Sequence, residues 1–393
     1  MGMRVTYVIR SFLDYRIPVL MELSKLLNGK LTVIFSEEVV PVRVVKRVQE
    51  ALGNRAVGLV GEKILGSRGN ITSEFSNTKI RIPWQPGILK EIKKSAPDVL
   101  VGDGFSQWSL SALTYRLFKG TPFVMCYERT THTERNAQWY RKLFRSNVLP
   151  FVRAMCVNGK LSKEYSISLG MPEERITTGH MVADTAALQE AAEEITEAER
   201  NSKRLEWKAN GIVFLYVGQL IPRKGVAQLL KGWAFFEKQD TVGTLILVGG
   251  GTEEEKLKQQ AAQLGLKNVI FAGPVNYDHI APIYSSADVF VMPTLEDNWS
   301  LVVPEAMACG LPIICSKYNG CWPELVHEEK NGWGFDPLNA EDTFRVLLEA
   351  ANAHGKLSKM GKVSQEIVAQ HSPQAAAQAI YSACEIALEH RQS

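Results

Sequence analysis

Short apolar runs rich in β-branched residues alternate with longer, more polar stretches along nearly the whole chain, and this restricts it to parallel α/β units. In the first half the runs cover residues 4–9, 31–35, 99–101, 122–127 and 154–157. In the second half they cover 212–217, 244–248, 269–272, 289–292 and 312–315. None shows strict apolar/polar alternation, which is the pattern of strands covered on both faces. A length of 393 residues suits two or three domains. We expect a Rossmann-like domain over 1–186, then a linker and a second such domain over 187–372. Segment 189–208 is charge-dense, with Glu190, Glu193, Glu194, Glu197 and Glu199, and reads as a solvated helix and linker. Segment 374–390 is Ala-rich with Ile380, Ala383, Ile386 and Ala387 at helical spacing, and reads as a closing helix. Doubly wound domains open their ligand crevice at the carboxyl ends of the strands.

With 45% apolar and 22% charged residues, the composition is that of an ordinary globular protein. No apolar run approaches the roughly 18 residues of a membrane-spanning helix. Met1-Gly2-Met3-Arg4 followed by Val5-Thr6-Tyr7-Val8-Ile9 reads as a first strand, too short and too soon polar for a signal peptide. The six cysteines lack CxxC or Cys/His ligand spacing, so reduced buried thiols and a cytoplasmic location are expected. The net charge of +3 conceals an asymmetry. Residues 1–186 hold 27 Lys and Arg against 16 Asp and Glu, a balance of +11, and the remainder has a balance of −8. That split suits an anionic partner for the first half. The basic residues are not interleaved with a nucleic-acid-binding motif, so no nucleic acid is expected.

Residues 293–310 carry the most chemistry. A strand ends at Pro293, a short loop holds Asp297, and a helix expected from about Leu301 carries Glu305. Unpaired N–H groups at a helix start attract an anion, most often a phosphate. Carboxylates on each side can accept hydrogen bonds from sugar hydroxyls.

This stretch resembles the Glu-x7-Glu signature of family 4 retaining glycosyltransferases, whose second domain is similar to that of glycogen synthase. The resemblance implies the GT-B fold: α/β, with two doubly wound Rossmann-like domains facing a central cleft. It also implies that helix 373–393 crosses back onto the first domain. Carried over by position, Asp297 contacts the donor sugar, Ser300 and Leu301 contact the phosphates through backbone N–H, and Glu305 holds the ribose. The chain departs from the family in having Asp for the first Glu and Asn298-Trp299-Ser300 for Gly-Phe-Gly. Glu296 would replace Asp297 if the register slipped by one. Further elements follow in family order. Val217-Gly218-Gln219-Leu220-Ile221-Pro222-Arg223-Lys224-Gly225 resembles the family's Gly-Arg-Leu-x-x-x-Lys-Gly segment, with Gln219 where an Arg is usual. Gly218, Arg223 and Lys224 are thus donor-binding candidates, and the two cations suit a diphosphate. Gly249-Gly250-Gly251 resembles the Gly-x-Gly turn and adds Gly250. Asn319-Gly320-Cys321-Trp322-Pro323-Glu324 resembles the Gly-Gly-x-x-Glu turn, with Asn for the first Gly.

The first half matches more loosely. Residues 122–127 resemble the family strand that ends in a functional His, and Glu128 stands at that position. Glu128 and His132 are the rival catalytic candidates for orienting the acceptor or accepting its proton, beside Asp297. Arg129, Asp103 in the turn Gly102-Asp103-Gly104-Phe105, and Arg16, within reach of an acceptor phosphate, are acceptor-binding candidates. Two basic amphipathic stretches suit an anionic membrane surface. One has Val44, Val45, Val48 and Leu52 beside Arg43, Lys46 and Arg47. The other has Trp139, Leu143 and Phe144 beside Arg141, Lys142 and Arg145.

The expected enzyme is a retaining hexosyltransferase. It moves a sugar from a nucleotide-sugar donor, expected to be UDP-linked, to the hydroxyl of a lipid-linked or anionic glycan in cell-envelope polysaccharide or glycolipid synthesis. Peripheral contact with the inner face of the membrane fits the same reading. No Asp-x-Asp motif is present, so no metal and no other cofactor is expected. The alternatives are a GT-B nucleotide-sugar epimerase or phosphorylase, though no pyridoxal-lysine motif appears, and a non-catalytic nucleotide-sugar-binding subunit.

Overall fold

A computed structural model describes residues 2–65, 82–239 and 242–389. The chain divides into two compact units, Met1–Val182 with Pro373–Ser393, and Ala183–Ser372.

The first unit is built on β1 (Val5–Val8), β2 (Leu31–Ser36), β3 (Ala56–Leu59), β4 (Lys63–Leu65), β5 (Ile82–Trp84), β6 (Val99–Asp103), β7 (Phe123–Tyr127), β8 (Ala154–Val157) and β9 (Ile176–Thr178). Seven of these form one sheet in the order β3-β2-β1-β6-β7-β8-β9, with every pairing parallel. The short β4 and β5 pair antiparallel with each other. Successive side chains alternate between two buried faces. Tyr7, Val33, Val101 and Cys156 enter one apolar cluster, whereas Val8, Ile34, Leu100 and Met155 enter the other. Each fully buried aliphatic side chain contributes about 1.5–3 kcal/mol relative to exposure. The helix Pro373–Glu389 packs against the helix Arg16–Leu26 on the first of these faces, presenting Ala376, Ala377, Ile380, Ala383, Cys384 and Ala387. Small side chains let the two backbones approach closely. Val44, Val45, Val48 and Leu52 of the helix Val42–Leu52 are also in this core. Their apolar face therefore points inward and is not available to a membrane, and Arg43 and Arg47 each bond Asp14 at 2.8 Å.

The second unit holds β10 (Ile212–Val217), β11 (Gly243–Val248), β12 (Val269–Gly273), β13 (Val289–Met292), β14 (Ile313–Ser316) and β15 (Gly332–Phe335). They form a parallel sheet in the order β12-β11-β10-β13-β14-β15. Both large sheets are doubly wound. Strand order reverses between β1 and β6 in one and between β10 and β13 in the other, and such reversals are where the strand ends splay to admit a ligand. Segment 189–208 is helical, and its second helix is solvated as expected. Most of it falls in the helices Thr185–Glu193, which buries Leu188 and Ala192, and Glu197–Glu206, which has no buried residue of its own and is followed by the buried Trp207. The break between them is set by Thr196, whose side chain accepts from Glu199 N while the Glu199 carboxylate bonds back to Thr196 N, a capping box. Among the described residues, no helix is long and apolar enough to cross a membrane.

Candidate functional site

In the second unit the loops leaving β10 and β13 meet at the switch point. The turn Pro222–Lys224 is tied to the loop after β13 through one acceptor: the Arg223 carbonyl receives Leu295 N (2.8 Å), Thr294 Oγ1 (3.0 Å) and Glu296 N (3.3 Å). Gly225 makes the approach possible. It sits at φ +72°, and a Cβ there would lie 2.0 Å from the Pro293 carbonyl oxygen. The loop is braced on its other side by Gly320, where a Cβ would fall 1.8 Å from the Asn298 carbonyl oxygen. Gly320 N also donates to the Asp297 carbonyl at 3.0 Å. Of the glycines singled out in the sequence, Gly218 N donates to Val248 O and the Gly250 carbonyl accepts from Leu220 N, both at 3.0 Å. They thus stitch the loops after β10 and β11 together.

This frame brings Lys224 onto Asp297: the ammonium donates to Asp297 Oδ2, which also receives Ser300 Oγ at 2.7 Å. Burial alone would push the Asp297 carboxyl up. The Lys224 charge, hydrogen bonds from Lys224 and Ser300, and the Arg223 charge outweigh it and hold the group below the usual carboxylate range. Asp297 is therefore ionised. Arg223 Nη1 reaches the Glu296 carbonyl at 3.4 Å, and the Glu296 side chain is itself buried. Ser300 N is engaged by Asn319 Oδ1 at 3.3 Å, so its N–H already has a partner. Leu301 is the N-cap of the helix Val302–Ala308, which carries Glu305 on its first turn.

Glu305 is buried and accepts from Tyr284 Oη at 3.0 Å. Burial pushes its pKa up to about 7, against the pull of hydrogen bonds from Tyr284 and Tyr277. The unfolded chain thus ionises near pH 4.5 and the folded chain near 7. The stability this shift confers is complete below about pH 4.5 and is lost as pH rises through about 7. A shift of that size corresponds to about 3 kcal/mol. Urea denaturation across pH 4 to 8 is expected to show this slope in the wild type and a flatter profile in Glu305→Gln. Parallel profiles would refute the assignment.

In the first unit the switch point opens a cavity of about 420 Å³ lined by Tyr15, Asp103, Glu128, Arg129, Arg141 and Arg145, among others. Asp103 ends β6 and Glu128 follows β7, so both stand at the carboxyl edge of the sheet. Two expectations change here. Arg16 is 2% exposed and does not line the cavity. Its guanidinium donates to Tyr7 Oη and the His180 carbonyl, and lies 3.5 Å from Asp103. It is held from behind Asp103 and is not presented to an acceptor phosphate. His132 stands in the turn after Glu128, outside the cavity lining, where its carbonyl accepts from Arg135 Nη1 at 2.6 Å. Burial pushes the Asp103 carboxyl up in spite of the Arg16 charge and the Tyr7 hydrogen bond. Burial and the Arg16 charge push His180 well below its usual range, so it is neutral.

Several site residues escaped the sequence reading. Tyr284 reaches the 297–305 segment from elsewhere in the fold, and the turn at 319–324 was read without the contact that Asn319 makes to Ser300 N. In the first unit, Glu134 is fully buried between Arg145, which donates to its Oε2, and Arg129, whose Nε lies 3.6 Å from Oε1. Tyr165 Oη accepts from Arg145 at 3.0 Å. Among the described residues, no three His, Cys, Asp or Glu side chains gather as a metal site.

Residues 197–367 match the protein family described as "Glycosyl transferases group 1". Sulfoquinovosyl transferase SQD2 of Arabidopsis thaliana is 24% identical over 319 residues, covering 78% of this chain and 60% of that protein. The D-inositol 3-phosphate glycosyltransferase of Acidothermus cellulolyticus is 33% identical over 166 residues, 39% of this chain and 37% of that protein. The chain thus spans less than two thirds of the length of these curated relatives. Among solved structures, Anabaena Alr3699/HepE in complex with UDP aligns with a TM-score of 0.74 at 19% identity, covering 97% of this chain and 99% of that one. The lipopolysaccharide glycosyltransferase WaaG aligns at 0.61 with 15% identity, covering 97% and 99%. The fold is GT-B: two Rossmann-like parallel sheets of seven and six strands.

Proposed function

We propose that the protein is a glycosyltransferase of the family 4 type, which moves a hexose from a UDP-linked donor to an acceptor hydroxyl with retention at the anomeric carbon. The observation that carries this reading is the seam at the second switch point, which sets Lys224, Arg223, Asp297 and Glu305 around one strand end. The C1–O bond to the diphosphate breaks and the acceptor oxygen bonds C1, so negative charge grows on the departing UDP. Lys224 and Arg223 stabilise that charge where a metal would otherwise serve. Asp297, held ionised, accepts from sugar hydroxyls, and Glu305 accepts from the ribose. Glu128, on the cavity wall of the first unit, takes the acceptor-orienting role in preference to His132.

The acceptor is an anionic or lipid-linked glycan, and the helix Trp139–Val148 supports contact with an anionic membrane. Trp139 is 76% exposed, Leu143 55% and Phe144 43%, and the only buried residue of this helix is Arg145. An apolar face turned to solvent and flanked by Lys142 is the arrangement of an interfacial helix.

Release of UDP from a panel of UDP-hexoses, followed with lipid-phosphate and glycan acceptors, tests the proposal. One donor should be consumed, at a rate unchanged by EDTA. A folded protein that neither binds UDP nor consumes any UDP-hexose would end this reading.

A further inference from the structure

We propose that the cavity at the first unit's switch point binds a phosphomonoester, gripped by Arg129, Arg141 and Arg145. The inference rests on reading that cavity as the acceptor site and names the group it recognises. Three guanidinium groups line one cavity of about 420 Å³. They reach it from two elements: Arg129 from the loop after β7, and Arg141 and Arg145, four residues apart, from one face of the helix Trp139–Val148. That helix is inverted relative to ordinary packing, for Trp139, Leu143 and Phe144 face water while Arg145 is buried. Burying arginine is costly unless a partner compensates it. Glu134, wholly buried, is that partner, and its two oxygens take Arg145 on one side and Arg129 on the other.

One carboxylate does not neutralise this group. At or behind the cavity, Arg16, Arg129, Arg141 and Arg145 face Asp103, Glu128 and Glu134, leaving one positive charge with His180 neutral. Arg129 Nη1 is buried without a hydrogen-bond partner. A buried guanidinium N–H of this kind calls for an acceptor oxygen. The helix Gln107–Lys119 also begins on the cavity wall, with Ser106 as its N-cap, and turns its positive dipole end toward the same space. Planar forks converging from two sides, with a helix start behind them, match the three oxygens of a phosphate dianion better than a single carboxylate.

Titration calorimetry on the full chain tests this with glycerol 3-phosphate as the probe. Glycerol 3-phosphate should bind and glycerol should not. Arg141→Gln, which leaves Glu134 both its cations, should weaken binding about tenfold or more with an unchanged melting temperature. Lys224→Ala in the second unit should leave it unaltered, while a parallel titration with UDP reports on the donor site. Phosphate-ester binding that fails while UDP binds overturns this inference alone, as does equal binding by all variants. Failure of UDP with the ester result intact overturns only the donor reading. Vesicles of phosphatidylcholine with and without phosphatidic acid identify the source of the phosphate. Arg141-dependent sedimentation far tighter than glycerol 3-phosphate binding assigns it to a lipid headgroup, and equal affinity assigns it to a soluble ester.

Discussion

Replacing Lys224 with alanine is expected to slow transfer about 10²–10³-fold, with the loss in kcat more than in KM, as for other groups placed against charge that develops in a transition state. The ammonium sits at the switch point on Asp297, and Gly225 and the Arg223 carbonyl fix the turn that carries it. Its loss has a second effect, because Asp297 then stays buried without its counter-charge and loses its strongest reason to be ionised. Stability and catalysis can be separated by pairing Lys224→Ala with Asp297→Asn. The double variant should recover the melting temperature of the wild type and remain as slow as Lys224→Ala. Wild-type turnover from a folded Lys224→Ala protein would remove Lys224 from the site.

A comparably large loss, in stability this time, is expected from Glu134→Ala: about 3–5 kcal/mol in urea denaturation. Glu134 is wholly buried and sits between Arg145 and Arg129. Without it two guanidinium groups face each other with no carboxylate between them, and Tyr165 still accepts from Arg145. Adding Arg145→Leu to Glu134→Ala should restore much of the loss, since an apolar pair tolerates burial where a lone cation does not. A Glu134→Ala protein within about 1 kcal/mol of wild type would show that the network is hydrated and not buried.

The long central strands were legible because their residues alone encode burial on both faces: Ile212–Val217 is apolar at every position, and so is Val289–Met292. Of the four edge strands of the two large sheets, β12 was legible and the other three were not. Ala56–Leu59 is half-buried, Ile176–Thr178 has a single fully buried residue, and Gly332–Phe335 carries two glycines. Their extension comes from a neighbour's backbone and not from local preference. The glutamates of 189–208 were legible as a solvated helix over Glu197–Glu206, which buries no residue, whereas the packed face of Thr185–Glu193 rests on Leu188 and Ala192. In the second unit, Asp297 and Glu305 share one local segment, so their spacing could be read directly. Tyr284 comes to that segment through the fold and carries no local mark, and Asn319 was marked as a turn residue but not as the partner of Ser300. Helix Trp139–Val148 was legible as amphipathic, but which face turns inward depends on Glu134 and Tyr165, neither of which lies within it.

The helix Pro373–Glu389 closes a sheet whose strands all lie before residue 183. During synthesis the second unit emerges whole and can fold behind the ribosome. The first must hold its alanine-accepting face uncovered until residues 373–389 are made. Residues such as Val19, Leu20 and Leu23 are then the exposed apolar surface a chaperone would meet, and slowing translation past residue 372 should lengthen that exposure and lower the yield of folded protein.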